Sequence, residues 1–165
     1  MRRLLLPLFL LVDLAAAIFI VATSESLPAR VASHFAAGGQ ANGWMPRGGY
    51  VGFMLAMAVV VPWLLVLLLS WLPRRFAGAV NLPHRGYWLD PERREATLAS
   101  LGAFAAGFGC VLALLIAGVH RAIVLANGRT PPALDAAELG ALLAGSAVAL
   151  AAWLVAWYLR FRRPR

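Results

Sequence analysis

An all-α integral membrane protein is the fold the sequence predicts: a bundle of four transmembrane helices with a structured extracytoplasmic loop between the first and second. Three observations carry it. Of 165 residues, 62% are hydrophobic and only 13% charged, with a mean hydropathy of +0.77, whereas soluble domains run near half apolar and about a quarter charged. The apolar residues fall in four runs, about 4–23, 51–72, 98–126 and 139–159, each long enough to cross a hydrocarbon core of about 30 Å. Pro, Gly and Arg gather between those runs, as turn and interface residues do. The whole chain, 1–165, reads as one transmembrane domain.

The first run follows Met1-Arg2-Arg3. A secretory signal begins in the same way, but its apolar core spans about 7–15 residues, and this run, from Leu4 to Ala22, is longer. A retained first helix is predicted. Asp13 lies near its centre. A charged carboxylate at that depth costs several kcal/mol unless it is paired or wetted, so Asp13 is expected to face the bundle. Two readings of it stay open: a packed, hydrogen-bonded acid, or a proton or ligand site. Its candidate partners are Ser146 and a tryptophan N–H, Trp63 or Trp153.

The segment 23–50 follows. Pro28 stops simple continuation of the first helix. Residues 31–35 suit an extended strand, and Gly38-Gly39 and Asn42-Gly43 are two turn signals close together, the second favoured where consecutive residues need positive φ. A compact, folded-back loop is predicted, with Trp44 and Tyr50 in the interfacial aromatic belt. The second run carries Pro62, tolerable in lipid where the freed carbonyl finds another partner.

After the second polar segment, 76–89, Asp90-Pro91-Glu92 makes a helix start. A helix from there to Ala126 would measure about 54 Å, so its first turns should project beyond the membrane as a charged stub on the cytoplasmic side. Ala99, Ala103 and Gly107, and again Gly102, Ala106 and Cys110, recur every four residues, a spacing that lets helices approach closely in lipid. The turn-rich stretch 127–132 leads to Asp135 and Glu138, a capping-box pattern with Asp in the first position. Ala137, Ala141, Gly145 and Ala149 stripe the fourth helix, a packing face within the bundle or between copies, which makes a homo-oligomer through helix 4 an expected partner arrangement.

All 15 basic residues are Arg, and the formal charge is +8. Eleven lie on the side of the termini and of the second polar segment, and four, Arg30, Arg47, Arg121 and Arg129, lie on the other. By the positive-inside rule both termini are cytoplasmic and segment 23–50 faces outward. The lipid bilayer accounts for this charge as a topology signal, and no nucleic-acid partner is predicted. A single cysteine, Cys110, excludes an intramolecular disulfide and a cysteine-built metal site. His34, His120, Asp135 and Glu138 share one side but show no ligand spacing. No Ser or Cys nucleophile stands in a catalytic motif, and no phosphate-binding Gly loop is present. No catalytic residue, metal or cofactor is therefore predicted, and the expected class is non-enzymatic.

The residues of the first loop carry a family resemblance. Leu27-Pro28, Arg30-Val31, His34-Phe35, Gly39 and Asn42-Gly43-Trp44 resemble the pattern LPxRφxxHFxxxGxxdxW, with φ apolar, of a bacterial membrane domain of unknown function. The same pattern occurs at the N-terminus of immunity proteins against the sporulation-delaying-protein toxin. The second segment, from Asn81-Leu82-Pro83-His84-Arg85 through Tyr87-Trp88-Leu89 to Pro91-Glu92-Arg93-Arg94, is similar to the region after the second span in many members of the first group. The resemblance implies a small polytopic inner-membrane protein. In the immunity branch it implies protection against a membrane-active peptide and relay of its presence to a repressor. This chain departs from that branch in its four spans and in the region after the second. The implied partner is a peptide or envelope protein, contacted by His34, Phe35, Gly39, Asn42, Gly43 and Trp44, with segment 81–95 as the inner contact surface. The competing expectation is a transporter, or a subunit of a larger membrane complex, that uses Asp13 and the small-residue face of helix 4. A third class is a membrane enzyme with His34 as acid or base. For the loop itself, recognition and a simple cap on the bundle both remain open.

Overall fold

The computed structural model describes residues 2–162. Arg163 and Arg165, part of the terminal arginine count, lie outside them. Helix α1, Arg2–Ser24, is followed by the strands β1, Arg30–Phe35, and β2, Ala41–Pro46. Helix α2, Arg47–Leu55, runs through a π-turn, Ala56–Val60, into α3, Val61–Arg75. A short α4, Arg85–Trp88, precedes the two long helices α5, Arg94–Asn127, and α6, Ala136–Phe161. Among the described residues four helical stretches are long and apolar enough to cross a membrane: Leu4–Ser24, Arg47–Arg75, Arg94–Asn127 and Ala136–Phe161. The architecture is the expected all-α bundle of four spanning helices, with one small hairpin added at the end remote from the termini.

Helix α5 is the axis. It packs against α1, against α3 and the π-turn, and against α6. The sequence makes that possible with small residues. A Cβ on Gly109 would stand 2.7 Å from Phe9 of α1 and 2.8 Å from Val66 of α3, so both helices close on α5 at one point. Ala106 and Cys110 are buried in the same cluster with Phe9 and Val66. In lipid such close approach, rather than hydrophobic exclusion, drives helix association.

The second span shows why the π-turn exists. Its buried residues are Tyr50, Met54, Ala58, Pro62 and Val66, one every fourth position. In a regular α-helix, with 3.6 residues per turn, that stripe would drift away from α5. The π-turn winds more widely and keeps it on the contact face. It also makes room for Pro62, whose ring would press on the carbonyl four residues back in a regular helix. The ladder is rerouted there, with the Val61 N–H donating to the Ala56 carbonyl, five residues back.

Several boundaries differ from expectation. The helix that carries the second span begins at Arg47, ahead of the apolar run at 51, because the strand β2 passes directly into it. Tyr50 is therefore a helical residue, only 1% exposed, and not a member of the interfacial belt. Helix α5 starts at Arg94: the Asp90 carboxylate accepts from Glu92 N, and its carbonyl accepts from both Arg93 N and Arg94 N, which holds 91–93 as a turn. At α6 the Asp135 half of the expected capping box forms, accepting from Ala137 N at 2.9 Å and Glu138 N at 3.1 Å. The Glu138 carboxylate pairs instead with Arg121 of α5.

Candidate functional site

The hairpin is a braced platform. β1 and β2 are antiparallel, with Val31 opposite Met45, Ala32 opposite Trp44, His34 opposite Gly43 and Phe35 opposite Ala41. Each strand carries one extra residue, Ser33 in the first and Asn42 in the second, so two irregularities cancel and the register recovers. The reversal is made by residues 36–40: Gly39 N donates to Ala36 O at 2.8 Å, and Gly39 adopts a φ of +81°. Asn42-Gly43, expected as a second turn, lies within β2 instead. One reversal at Gly39 already returns the chain.

Three braces fix this platform to the bundle. Arg47 ties its base, donating to Leu27 O from the side chain at 3.0 Å and to Ala29 O from the main chain at 3.0 Å. The connection between α5 and α6 ties its tip: Leu134 N donates to Gly39 O at 2.8 Å, and Gln40 bridges Ala133. Asn127, the last residue of α5, holds the middle. Its side-chain oxygen accepts from Ala32 N and its amide donates to Ala32 O, each at 2.9 Å, with a second donation to Ile123 O. The amide thus substitutes for a neighbouring strand on the outer edge of β1. That edge is open because the Arg47–Ala29 bond sets the ladder phase, and alternation along an antiparallel pair leaves the main-chain groups of Ala32 and Trp44 turned outward.

Of the six loop residues singled out by the sequence, the structure exposes three. Trp44 is 49% exposed, and His34 and Asn42 are also exposed. His34 Nδ1 lies 3.0 Å from Ser33 Oγ. Gly43 faces His34 so closely that a Cβ there would stand 3.0 Å from the histidine Cβ. Phe35 is half-buried and packs on the cluster around Val31 and Tyr50. Gly39 serves the turn. Trp44 and His34 thus occupy neighbouring rungs of one stiff hairpin, on opposite strands.

Beneath the hairpin a polar chain crosses three helices. His120 of α5 is fully buried. Tyr50 Oη lies 2.8 Å from its Nδ1, and Thr23 Oγ1 lies 2.8 Å from its Nε2. Thr23 Oγ1 also donates to Phe19 O at 2.7 Å. Counting donors and acceptors assigns the direction that satisfies every group: Tyr50 O–H to Nδ1, Nε2–H to Thr23, and Thr23 O–H to the Phe19 carbonyl. Tyr50 also stacks on the imidazole, ring centroids 5.6 Å apart. The sequence placed His120 beside His34, Asp135 and Glu138 on one side. The structure separates them: His120 is enclosed, His34 is exposed, and Asp135 pairs with Arg129 at 3.0 Å. The N–H groups of Glu138 and Ala137, together with Arg129, hold the Asp135 carboxyl below the usual carboxylate range, Glu138 N–H foremost. Among the described residues no three His, Cys, Asp or Glu side chains gather around one point.

Asp13 lies about 15 Å along α1 from Thr23. It is only 4% exposed, and one oxygen accepts from Trp63 Nε1 at 3.0 Å. Its other oxygen, Oδ1, has no hydrogen-bond partner among the described residues. Of the expected partners, Trp63 is the one engaged. Trp153 Nε1 donates to Phe104 O instead, and Ser146 lines a groove between α5 and α6.

The second polar segment folds against the other end. Trp88 is buried and donates to Phe161 O at 3.1 Å, beside Leu82 and Phe161. His84 initiates α4 in a left-handed conformation, φ 53°. Tyr87 and Trp88, part of the similarity noted above, thus anchor the end of α6, and Arg85 and Gly86 remain exposed.

Fold and site define a multi-pass membrane protein with a helix-braced hairpin at one end. Within it, residues 10–59, from α1 through the hairpin to the π-turn, match the model of a family described as a domain of unknown function, DUF1648. No curated protein and no solved structure matches the chain.

Sequence reasoning missed the Asn127 brace and the connected set of Thr23, Tyr50 and His120. Asn127 read as half of an Asn-Gly turn, and the other three stand at the ends of separate apolar runs.

Proposed function

We propose that this is a non-enzymatic protein of the bacterial inner membrane, with both termini in the cytoplasm, that binds a peptide or envelope protein through its outward-facing hairpin. The unequal arginine distribution supports the orientation. One observation carries the binding reading: Trp44 presents a half-exposed indole and outward main-chain groups on a strand edge that three separate braces keep in shape. An edge of that kind accepts an extended segment by strand addition, and tryptophan dominates many binding hot spots. The resemblance to immunity proteins points to a membrane-active peptide as the ligand class, with protection or signal relay as the outcome. Trp44→Ala should weaken partner capture about thirtyfold, in line with a hot-spot loss of about 2 kcal/mol, and His34→Ala should weaken it to a smaller extent. Co-purification at matched protein level checks both. Unchanged partners with Trp44→Ala would sink the reading.

A second reading, a transporter or a subunit of a larger complex or homo-oligomer, draws on the unpartnered Asp13 Oδ1 and on the exposed stripe Ala137, Ala141, Gly145 and Ala149. Asp13→Asn keeps the shape and an acceptor for Trp63 but cannot ionise. Under this reading it should alter the native complex, as should Gly145→Leu. Native electrophoresis showing the same assembly for both variants would remove it.

A further inference from the structure

At the end of the bundle that carries the termini, α1 and α6 flank α5 and leave a groove of about 400 Å³ between them. That lies within the usual ligand-pocket range of about 300–1,000 Å³. Its floor is Ser100, Ala103 and Gly107, small residues that keep it deep, and Leu5, Phe104 and Trp153 form its walls. From Ser100 to Gly107 the floor runs about 10 Å along α5. Its polar groups are already engaged: Ser100 Oγ donates to Ala96 O at 2.7 Å, and Trp153 Nε1 to Phe104 O at 2.9 Å. The interior therefore offers hydrocarbon contact and no free hydrogen-bond donor, which suits an alkyl chain better than a polar solute.

The rim differs. Arg160 borders the groove, its guanidinium 4.7 Å from the Trp88 ring centroid and 5.1 Å from that of Phe161. The hydrogen bond from the Trp88 indole to Phe161 O fixes the Trp88 ring, and the Phe161 ring packs edge-on against it, so the cation is held in place. The same end carries Arg74, Arg75, Arg85, Arg93 and Arg94 against Asp90, Glu92 and Glu95, an excess of positive charge. An apolar slot ending at a positioned cation is complementary to a lipid with an anionic head.

We propose that this groove holds an acyl chain of an anionic phospholipid whose phosphate rests on Arg160. The site lies at the opposite end of the bundle from the hairpin and does not rest on the reading given for it. The test is native mass spectrometry of the full chain, purified in mild detergent and offered an equimolar mixture of phosphatidylglycerol and phosphatidylcholine. The native protein should retain phosphatidylglycerol preferentially. Arg160→Gln, at the rim, should lower that preference about fivefold, the effect of one basic residue near an anionic lipid surface. Gly107→Leu, which fills the floor, should lose bound lipid of both classes. Equal retention of the two lipids by the native protein would overturn the proposal, as would a preference unchanged in Arg160→Gln. So would a lipid-free dimer that Gly107→Leu dissociates, since a second copy would then occupy the groove.

Discussion

Asn127 shows how much one side chain can organise. Its amide reaches both main-chain atoms of Ala32, so it takes the place of a further strand beside β1. Removing it would leave those atoms part-buried without partners, at about 1–3 kcal/mol for an unsatisfied group. Asn127→Ala should therefore speed amide exchange through 30–46 while the four helices stay intact. Asn127→Asp separates donor from acceptor: it still accepts from Ala32 N but sets an oxygen against Ala32 O. It should be at least as disruptive as the alanine variant. A hairpin that exchanges at its native rate in both variants would show that the brace is dispensable.

At the scale of elements, the hairpin and the second span depend on local departures from regular geometry. Gly39 combines a positive φ with a carbonyl in its path: a Cβ there would stand 2.6 Å from Leu134 O. Gly39→Ala should cost about 1–3 kcal/mol and release the 132–134 segment from the hairpin tip, seen as loss of protection at the Leu134 amide. Retained protection there would contradict the tip brace. The π-turn obeys the same logic in the membrane. It keeps a stripe of every fourth residue on α5 that regular winding would carry away, and so sets Tyr50 and Trp63 toward their separate partners on α5 and α1.

For the whole molecule, the four spans were legible because hydropathy is a property of each segment alone. The Asp135 cap was legible because its partners lie two and three residues away. What stayed hidden depends on distance along the chain. Asn127 meets Ala32 across 95 positions, and His120 meets Thr23 across 97, and no periodicity encodes either pairing. The start of α2 was misplaced because Arg47-Gly48-Gly49 reads as loop, while Arg47 in fact ties the helix start to Leu27 and Ala29. Helix α6 rests chiefly on α5 and buries none of its spanning window, so its sequence stripe indicated a face without indicating a partner. The proposed orientation is itself open to measurement. A cysteine placed at the exposed Gln40, in a Cys110→Ala background, should react with a membrane-impermeant thiol reagent from outside intact cells. Labelling only after the inner face is opened would reverse the topology.

The Asn127 brace also has a consequence for biogenesis. The strand it supports is made 95 residues earlier, and at about 5–20 residues per second the ribosome needs roughly 5–20 s more to complete the brace. Under the proposed orientation the hairpin crosses the membrane during that interval, while β1 still lacks its Asn127 partner and presents an open edge, the kind of surface on which strands of other chains assemble. Insertion of α5 closes that edge. On that orientation the third span would shield the hairpin, and the rate at which it inserts would set how long the nascent protein is exposed to mispairing.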